Sequence, residues 1–212
     1  MMLGPRLEKK GDLSLLDTES FANENMISFE EIYQNYCVGI VDIVNSTQII
    51  SKLPQDKACV FYSVFLNSIG FIAQSHDAKV VKNIGDGILF YFPKEPATNQ
   101  NSSLECALKM IDASKMINVI FEKRKIPKIH YRISLDYGPL MIAKCNTLSC
   151  KDIFGPTVNL CAKINRMAKP NSIVIGSDMY QIVKKSQKYK FEEIDDLRST
   201  LKHYYSVYSV RN

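Results

Sequence analysis

The chain has 212 residues, of which 46% are hydrophobic and 23% are charged, and its formal net charge is +5. This apolar content is typical of a globular protein and excludes a disordered chain, which cannot bury enough apolar surface to offset its conformational entropy. The low content of glycine (nine) and proline (eight) also excludes a collagen-like or linker-like sequence.

Two features of the sequence bear on membranes and nucleic acids. No apolar run approaches the roughly 18–20 residues that cross a bilayer, so we expect no membrane segment. The N-terminal residues MMLGPRLEKKGD lack the apolar core of a signal peptide, which predicts a cytoplasmic protein. Basic residues are scattered, and their one cluster, Glu122–Lys125, is interpreted as a solvated helix end. We therefore expect no nucleic-acid partner.

The six cysteines show no metal-binding pattern, because no CxxC pair and no histidine at zinc-like spacing accompanies them. In a reducing compartment they are expected to be free, buried or partly buried thiols. A pairing of Cys145 with Cys150 is the one local exception.

The N-terminal residues 1–35 are predicted to be a polar tail or lead-in. They end in a short helix, Ser28–Tyr33, which Ser28 and Glu31 would cap. Residues 36–212 are predicted to form one folded domain.

Within this domain, the first six predicted elements follow the order β-α-β-β-α-β. They are strand Cys37–Val44, a helix over 55–74, strands Lys79–Ile84 and Ile88–Phe92, a helix from Ser102 to about Lys123, and strand His130–Tyr137. This order is typical of a ferredoxin-like sheet with helices on one face, so we expect an α+β fold.

An additional C-terminal subregion of helices and strands is predicted to complete the fold. Gly138-Pro139 is predicted to turn the chain into a hairpin partner, Leu140–Lys144, and a polar stretch follows. The remaining predicted elements are helix Thr157–Ala168, strand Ser172–Ile175, helix Asp178–Lys185, and strands Lys190–Ile194 and Tyr204–Val210.

Two aspartates occupy unexpected positions. Asp42 interrupts an apolar strand, and Asp86 lies at a hairpin tip between two glycines. In a ferredoxin-like sheet the first strand and the second–third hairpin are neighbours, so both carboxylates could meet at one edge. Adjacent carboxylates repel unless a cation lies between them, and Mg²⁺ prefers such oxygen ligands. The alternative is that Asp42 caps the next helix and Asp86 is an ordinary turn residue.

The residues after Asp42 favour the metal interpretation. Asn45, Ser46 and Thr47 form a turn that can open a helix and present backbone N–H groups at its N-terminus. Such a terminus binds phosphate groups. Together with the two carboxylates, this turn predicts a metal–triphosphate site.

Three motifs resemble those of class III nucleotidyl cyclases. Val41–Thr47 resembles the first metal-binding motif of that family, and Lys82–Gly87 resembles the second. Lys151–Asn159 is similar to the stretch that carries base-selecting and transition-state residues. The resemblance extends from about Tyr36 to Val210 and implies that residues 36–212 are a nucleotidyl cyclase catalytic domain.

The resemblance implies a role for individual residues. Asp42 and Asp86 would bind two Mg²⁺ or Mn²⁺ ions per site, with help from the Ile43 carbonyl. Lys82 and Asp152 would read the base, and Lys with Asp is the adenine-selecting pair of the family.

The resemblance also implies phosphate-binding and catalytic positions, with departures from the family pattern. The phosphate-binding positions are Asn45, Ser46, Thr47 and Lys202. The family usually has Gly at the position of Asn45, and Asn also tolerates the left-handed conformation. Asn159 would orient the ribose, and Lys163 stands where the family usually has a transition-state Arg. Leu201-Lys202-His203 only loosely resembles the family's Leu-Lys-Gly.

By this resemblance the chain would be an adenylate cyclase that converts ATP to 3′,5′-cyclic AMP and pyrophosphate. Its site would lie between the two chains of a head-to-tail homodimer, and a regulatory protein could act in trans. Two alternatives stay open. One is a catalytically weak or inactive cyclase-homology module that binds nucleotide or only dimerises, and the other is a guanylate cyclase.

Overall fold

A mixed β-sheet organises the chain, as seen in a computed structural model that describes residues 27–93, 102–145, 150–196 and 205–212. Its strands are β1 Ile27–Ile43, β2 Lys79–Ile84, β3 Gly87–Phe92, β4 Tyr131–Cys145, β5 Cys150–Phe154, β6 Ile173–Gly176, β7 Lys190–Asp196 and β8 Ser206–Arg211. The helices are α1 Ser46–Ile50, α2 Gln55–Ser75, α3 Ser102–Lys123, α4 Pro156–Asn165 and α5 Ser177–Val183.

The strand order confirms the predicted ferredoxin-like core. Strands β2, β3, β1 and β4 are neighbours in that order and pair antiparallel. The C-terminal subregion extends the sheet on the far side of β4, where β6 pairs parallel and β8 and β7 follow antiparallel. Strand β5 pairs only with β4, outside this path.

The N-terminal half of β1 corrects the predicted helix Ser28–Tyr33. This segment is extended and pairs with β4, with Ser28 opposite Lys144 and Gln34 opposite Leu140. Two register shifts lie between these pairs. The capping residues favour a helix locally, but pairing with β4 is more favourable because the sheet satisfies the backbone hydrogen bonds of the whole segment.

Strand β4 corrects the predicted hairpin at Gly138-Pro139. The chain continues straight through these residues, which lie opposite Asn35 and Tyr36 of β1. Proline is tolerated here because it lies outside the stretches of β4 that pair with β5 and β6, and its carbonyl accepts a hydrogen bond from Thr157 Oγ1 at 3.0 Å. The sequence also did not predict strand β5, Cys150–Phe154, which begins at the end of the polar stretch Cys145–Lys151.

Alternation along β1 explains how the sheet is covered on both faces. Cys37, Val41 and Ile43 belong to the large core beneath α2 and α3. Val38 and Ile40 belong to a second cluster on the opposite face, which α4 and β5 cover. Residue 42 shares this second face, because side chains alternate along a strand.

Helix α2 qualifies the prediction about membranes. Of the described helices, α2 is long and apolar enough to cross a membrane by length and composition alone, so the exclusion of any such segment was too strong. Phe61, Phe65, Ile69 and Ala73 of this helix are buried in the core. That no segment crosses a membrane therefore stays a prediction.

The described cysteine side chains are free thiols. Cys37, Cys106 and Cys161 are buried, and Cys59 is exposed. Burial raises the pKa of Cys37 and of Cys106 to about 12, which keeps both thiols protonated at neutral pH. The side chains of the predicted Cys145–Cys150 pair lie outside the described residues.

Candidate active site

Asp42 lies at the end of β1, directly opposite Arg132 of β4. The Arg132 guanidinium donates two hydrogen bonds to Asp42 Oδ2, from Nη2 at 2.7 Å and from Nε at 3.0 Å. Both side chains are only partly buried. Arg132 was not singled out from the sequence, because its proximity to Asp42 depends on the register between two strands that are far apart in the chain.

Asp86 lies at the tip of the β2–β3 hairpin, next to the end of β1. The tip uses Gly85 with φ of 60°, in the left-handed region that glycine favours. A Cβ at Gly87 would lie 2.4 Å from the Val41 carbonyl oxygen and 3.5 Å from Asp42 Cα. The hairpin tip therefore packs directly on the strand end that carries Asp42, and any larger residue at position 87 would push the two apart.

The donor atoms at this edge fit a hard divalent cation. Asp86 Oδ2 is buried and has no hydrogen-bond partner among the described residues. Leaving a buried carboxylate oxygen unpaired is unfavourable, and a bound cation would remove that penalty. Two carboxylates and the Ile43 carbonyl are the oxygen ligands that Mg²⁺ and Mn²⁺ accept.

The protein supplies only part of such a coordination shell. No group of three or more His, Cys, Asp or Glu side chains comes together in the parts of the chain that the structure describes. Substrate phosphates and water commonly complete the shell of Mg²⁺. The nature and number of the ions stay predictions.

The turn after β1 has the left-handed residue that the sequence allows at Asn45, and phosphate binding at this turn stays a prediction. Asn45 is the N-cap of α1 and has φ of 57° and ψ of 30°, so it adopts the left-handed conformation that asparagine tolerates. Its carbonyl accepts the first helical hydrogen bonds, from the N–H groups of Gln48 and Ile49. Ser46 is half-buried and Thr47 is exposed, within five residues of Asp42.

The two predicted base-reading residues form an ion pair. Lys82 of β2 and Asp152 of β5 are 70 residues apart, yet Lys82 Nζ lies 2.5 Å from Asp152 Oδ2. They meet because the sheet curls until β2 and β5 are in contact. The Ile153 N–H donates to the other oxygen, Asp152 Oδ1, at 2.8 Å. One donor and one acceptor are thus held together by two strands that contact each other without pairing.

Helix α4 carries the predicted catalytic residues. Asn159 and Lys163 are both exposed and lie four residues apart, so they share one side of the helix. The opposite side of the helix is fixed by Asn165, whose buried amide donates to the Ile40 carbonyl and to Ser134 Oγ, each at 3.1 Å. Lys202, the predicted C-terminal phosphate ligand, lies outside the described residues.

The chain is similar to curated nucleotide cyclases. Cytidylate cyclase of Staphylococcus aureus is 22% identical over 172 residues, 77% of this chain and 41% of that protein. Adenylate cyclase of Streptomyces coelicolor is 19% identical over 148 residues, 70% of this chain and 34% of that protein. The chain therefore spans less than half the length of these relatives.

Comparison with solved structures identifies the fold. The crystal structure of the adenylyl cyclase CyaB from P. aeruginosa matches with a TM-score of 0.76 and 16% identity, over 85% of this chain and 96% of that one.

The family model described as the adenylate and guanylate cyclase catalytic domain matches residues 29–211. Since that match covers most of the sequence, the chain belongs to the adenylate and guanylate cyclase catalytic domain family.

Proposed function

We propose that the chain is an adenylate cyclase, which converts ATP to 3′,5′-cyclic AMP and pyrophosphate. The observation that carries this proposal is the pairing of Lys82 with Asp152 at 2.5 Å. A lysine donor suits the ring nitrogen N1 of adenine, and an aspartate acceptor suits its exocyclic amine. Guanine presents the reverse order, with an N–H at N1 and an acceptor at O6, so it would leave polar groups of the site unpaired.

Cytosine defines a second candidate substrate. Its N3 acceptor and N4 amine have the same order as N1 and the amine of adenine, and one relative of the chain is a cytidylate cyclase. The Lys82–Asp152 pair therefore opposes GTP and UTP more strongly than it opposes CTP. The notable difference between the two bases is ring size, so turnover of ATP and CTP is compared directly in the test below.

The remaining residues act on the ribose and the phosphates. In the reaction the 3′-oxygen attacks the α-phosphorus, the bond from that phosphorus to the α–β bridging oxygen breaks, and pyrophosphate leaves with the electron pair. The proton of the 3′-hydroxyl goes to solvent. Asn159 orients the ribose, and Lys163 offsets negative charge on the α-phosphate. Arg132, which donates two hydrogen bonds to Asp42 Oδ2, holds that carboxylate in place.

A divalent cation would be held by Asp42, Asp86 and the Ile43 carbonyl. When bound, it would supply positive charge that favours the 3′-alkoxide and the leaving pyrophosphate. The unpaired oxygen of Asp86 supports this assignment.

We further propose a head-to-tail homodimer. One chain carries both the metal-binding and the base-reading residues, so a twofold pair of chains can form two equivalent sites. Asn159, Lys163 and Lys82 are exposed in the single chain, which leaves them available to a substrate held between two copies. A cytoplasmic location and a regulator in trans belong to the same proposal.

The test is turnover of ATP, CTP, GTP and UTP by the purified protein, each with Mg²⁺ or Mn²⁺. An unpaired buried polar group costs roughly 1–3 kcal/mol, so we expect ATP to be preferred over GTP by at least about tenfold. The isosteric variant Asp86→Asn should abolish turnover without unfolding the chain. Equal use of ATP and GTP would contradict the base assignment.

A folded protein that turns over no nucleotide would be a binding or dimerisation module instead.

A further inference from the structure

The Lys82 side chain has a second neighbour besides Asp152, which is the ring of Phe154. Lys82 Nζ lies 5.9 Å from the centre of this ring. Phe154 is two residues after Asp152 on β5, so one short strand supplies both neighbours of the ammonium. No motif in the sequence singled out this aromatic residue as part of the site.

Phe29 supports the Phe154 ring from the other side of β4. The two ring centres are 6.1 Å apart with an interplanar angle of 69°, an edge-to-face contact. Phe29 lies opposite Ala143, and Phe154 lies opposite Met141, so the two phenylalanines flank positions of β4 that are two residues apart and share one face. Half of Phe29 is exposed, and Phe154 is partly buried. The N-terminal half of β1 thereby contributes to the surroundings of a base-reading residue.

The Phe154 ring restricts the position of the Lys82 ammonium. The Lys82 side chain is long and 48% exposed, so the Asp152 carboxylate by itself leaves the ammonium free to rotate about one oxygen. A ring face attracts a cation without consuming one of its three N–H donors in a lone-pair contact. An ammonium held between Asp152 and the Phe154 ring therefore keeps N–H groups available for a substrate.

We propose that Phe154, braced by Phe29, is a positioning residue that holds the Lys82 ammonium in place to donate to the ring nitrogen of the substrate base. This inference rests on the proposed adenylate cyclase function, in which Lys82 reads adenine. Phe154 acts through Lys82 and not through contact with the reacting atoms.

The experiment measures equilibrium binding of 3′-deoxy-ATP and 3′-deoxy-GTP in Mg²⁺. Both nucleotides lack the attacking hydroxyl, so binding is separated from turnover. Phe154→Leu keeps an apolar side chain and removes the ring face. It should weaken binding of the ATP analogue by about three- to fivefold, the usual strength of a partly exposed cation–π contact, and change binding of the GTP analogue less.

Three further variants make the test specific. Phe154→Tyr keeps the ring and should bind the two analogues with the selectivity of the wild type. Phe29→Leu should weaken binding of the ATP analogue less than Phe154→Leu does. Phe71→Leu is the matched control, because this exposed phenylalanine lies on α2 and contributes to no part of the site. In turnover assays Phe154→Leu should raise KM for ATP and leave kcat within about twofold, as expected when substrate binding is weakened equally in ground and transition states.

The outcomes separate this inference from the proposed function. Wild-type protein that binds neither analogue would overturn both. Wild-type protein that prefers the ATP analogue, with unchanged preference in folded Phe154→Leu, would overturn only the role of Phe154. An equal loss for both analogues in Phe154→Leu would also overturn it, because general packing and not placement of Lys82 would then explain the effect.

Discussion

At the scale of single residues, Asp136 stands out as a fully buried carboxyl group in β4. The Tyr205 hydroxyl donates to it at 2.8 Å from Oδ1 and 2.9 Å from Oδ2, and the Tyr137 N–H donates to Oδ1 at 2.9 Å. Burial raises the pKa of Asp136 to about 7, and the nearby charge of Asp178 also raises it. These hydrogen bonds only partly offset the loss of hydration.

This raised pKa predicts that Asp136 destabilises the fold at neutral and higher pH. In the unfolded chain the carboxyl ionises near its ordinary pKa of 3.8, whereas in the folded chain it keeps its proton up to about pH 7. The stability that the protonated Asp136 carboxyl allows the fold is therefore fully present below pH 3.8 and is lost as pH rises to 7. Relative to Asp136→Asn, the wild-type free energy of unfolding should fall by about 2–4 kcal/mol over this range, as measured by urea denaturation. Asp112→Asn, at an exposed site, is the control, and parallel pH profiles for wild type and Asp136→Asn would contradict this prediction.

Lys163 gives a second prediction at this scale. It is exposed on α4 and keeps the positive charge that the site needs, but it lacks the planar, two-pronged geometry of arginine. Losing one well-placed transition-state donor typically costs about 10²–10³ in rate, and a lysine recovers part of this. We therefore expect low but measurable activity, which Lys163→Arg raises by about tenfold in kcat. An active enzyme that this substitution leaves unchanged or slower would show that Lys163 does not act in place of an arginine.

At the scale of elements, α4 is positioned by a buried polar contact and not by apolar packing alone. Asn165 is 3% exposed and links the end of the helix to β1 and β4. Ser134 Oγ in turn donates to the Cys161 carbonyl at 2.9 Å. The exposed residues Asn159 and Lys163 lie on the same helix, so this buried side fixes where they are presented.

Asn165→Ala should therefore destabilise the protein and misplace α4. Two buried hydrogen bonds are lost, and acceptors are left unsatisfied, so the free energy of unfolding should fall by about 1–3 kcal/mol. The control is Asn67→Ala, at an exposed position of α2, which should change stability by no more than about 0.5 kcal/mol. Both variants can be compared by urea denaturation. A loss no larger in Asn165→Ala than in the control would show that the contact does not hold the helix.

At the scale of the whole molecule, the proposed dimer predicts complementation between inactive chains. If metal-binding and catalytic residues meet across the interface, an Asp42→Ala/Asn159→Ala heterodimer has one site with both lesions and one with neither. Random exchange makes half of the dimers mixed, each with one of two sites intact, so about a quarter of wild-type activity should return.

The control for complementation uses two lesions in the same half-site. Asp42→Ala mixed with Asp86→Ala leaves every site with at least one defect, so it should recover nothing. Mass spectrometry of a tagged chain can verify that subunits exchange. No recovery from the first mixture despite exchange would place the complete site within one chain.

Much of the core could be predicted from the sequence, because those signals are local. A few neighbouring residues are enough to show the apolar periodicity of α2 and α3. The same is true of the glycine-flanked turn at Asp86. The capping signal at Ser28 and the turn signal at Gly138-Pro139 are equally local, yet both predictions were wrong. There the hydrogen bonds of a long strand pair outweigh a preference of one or two residues.

The sequence by itself determined which residues the site has available: two carboxylates, an asparagine that tolerates the left-handed conformation, and a lysine and an aspartate of matching chemistry. Only the tertiary structure decided which of them meet. The pairing of Lys82 with Asp152 depends on the curl of the sheet. The pairing of Arg132 with Asp42 depends on strand register. The contact of Phe29 with Phe154 depends on a strand that was predicted to be a helix. Such contacts join residues distant in the chain, and their geometry follows from how all the strands pack together, which no local pattern records.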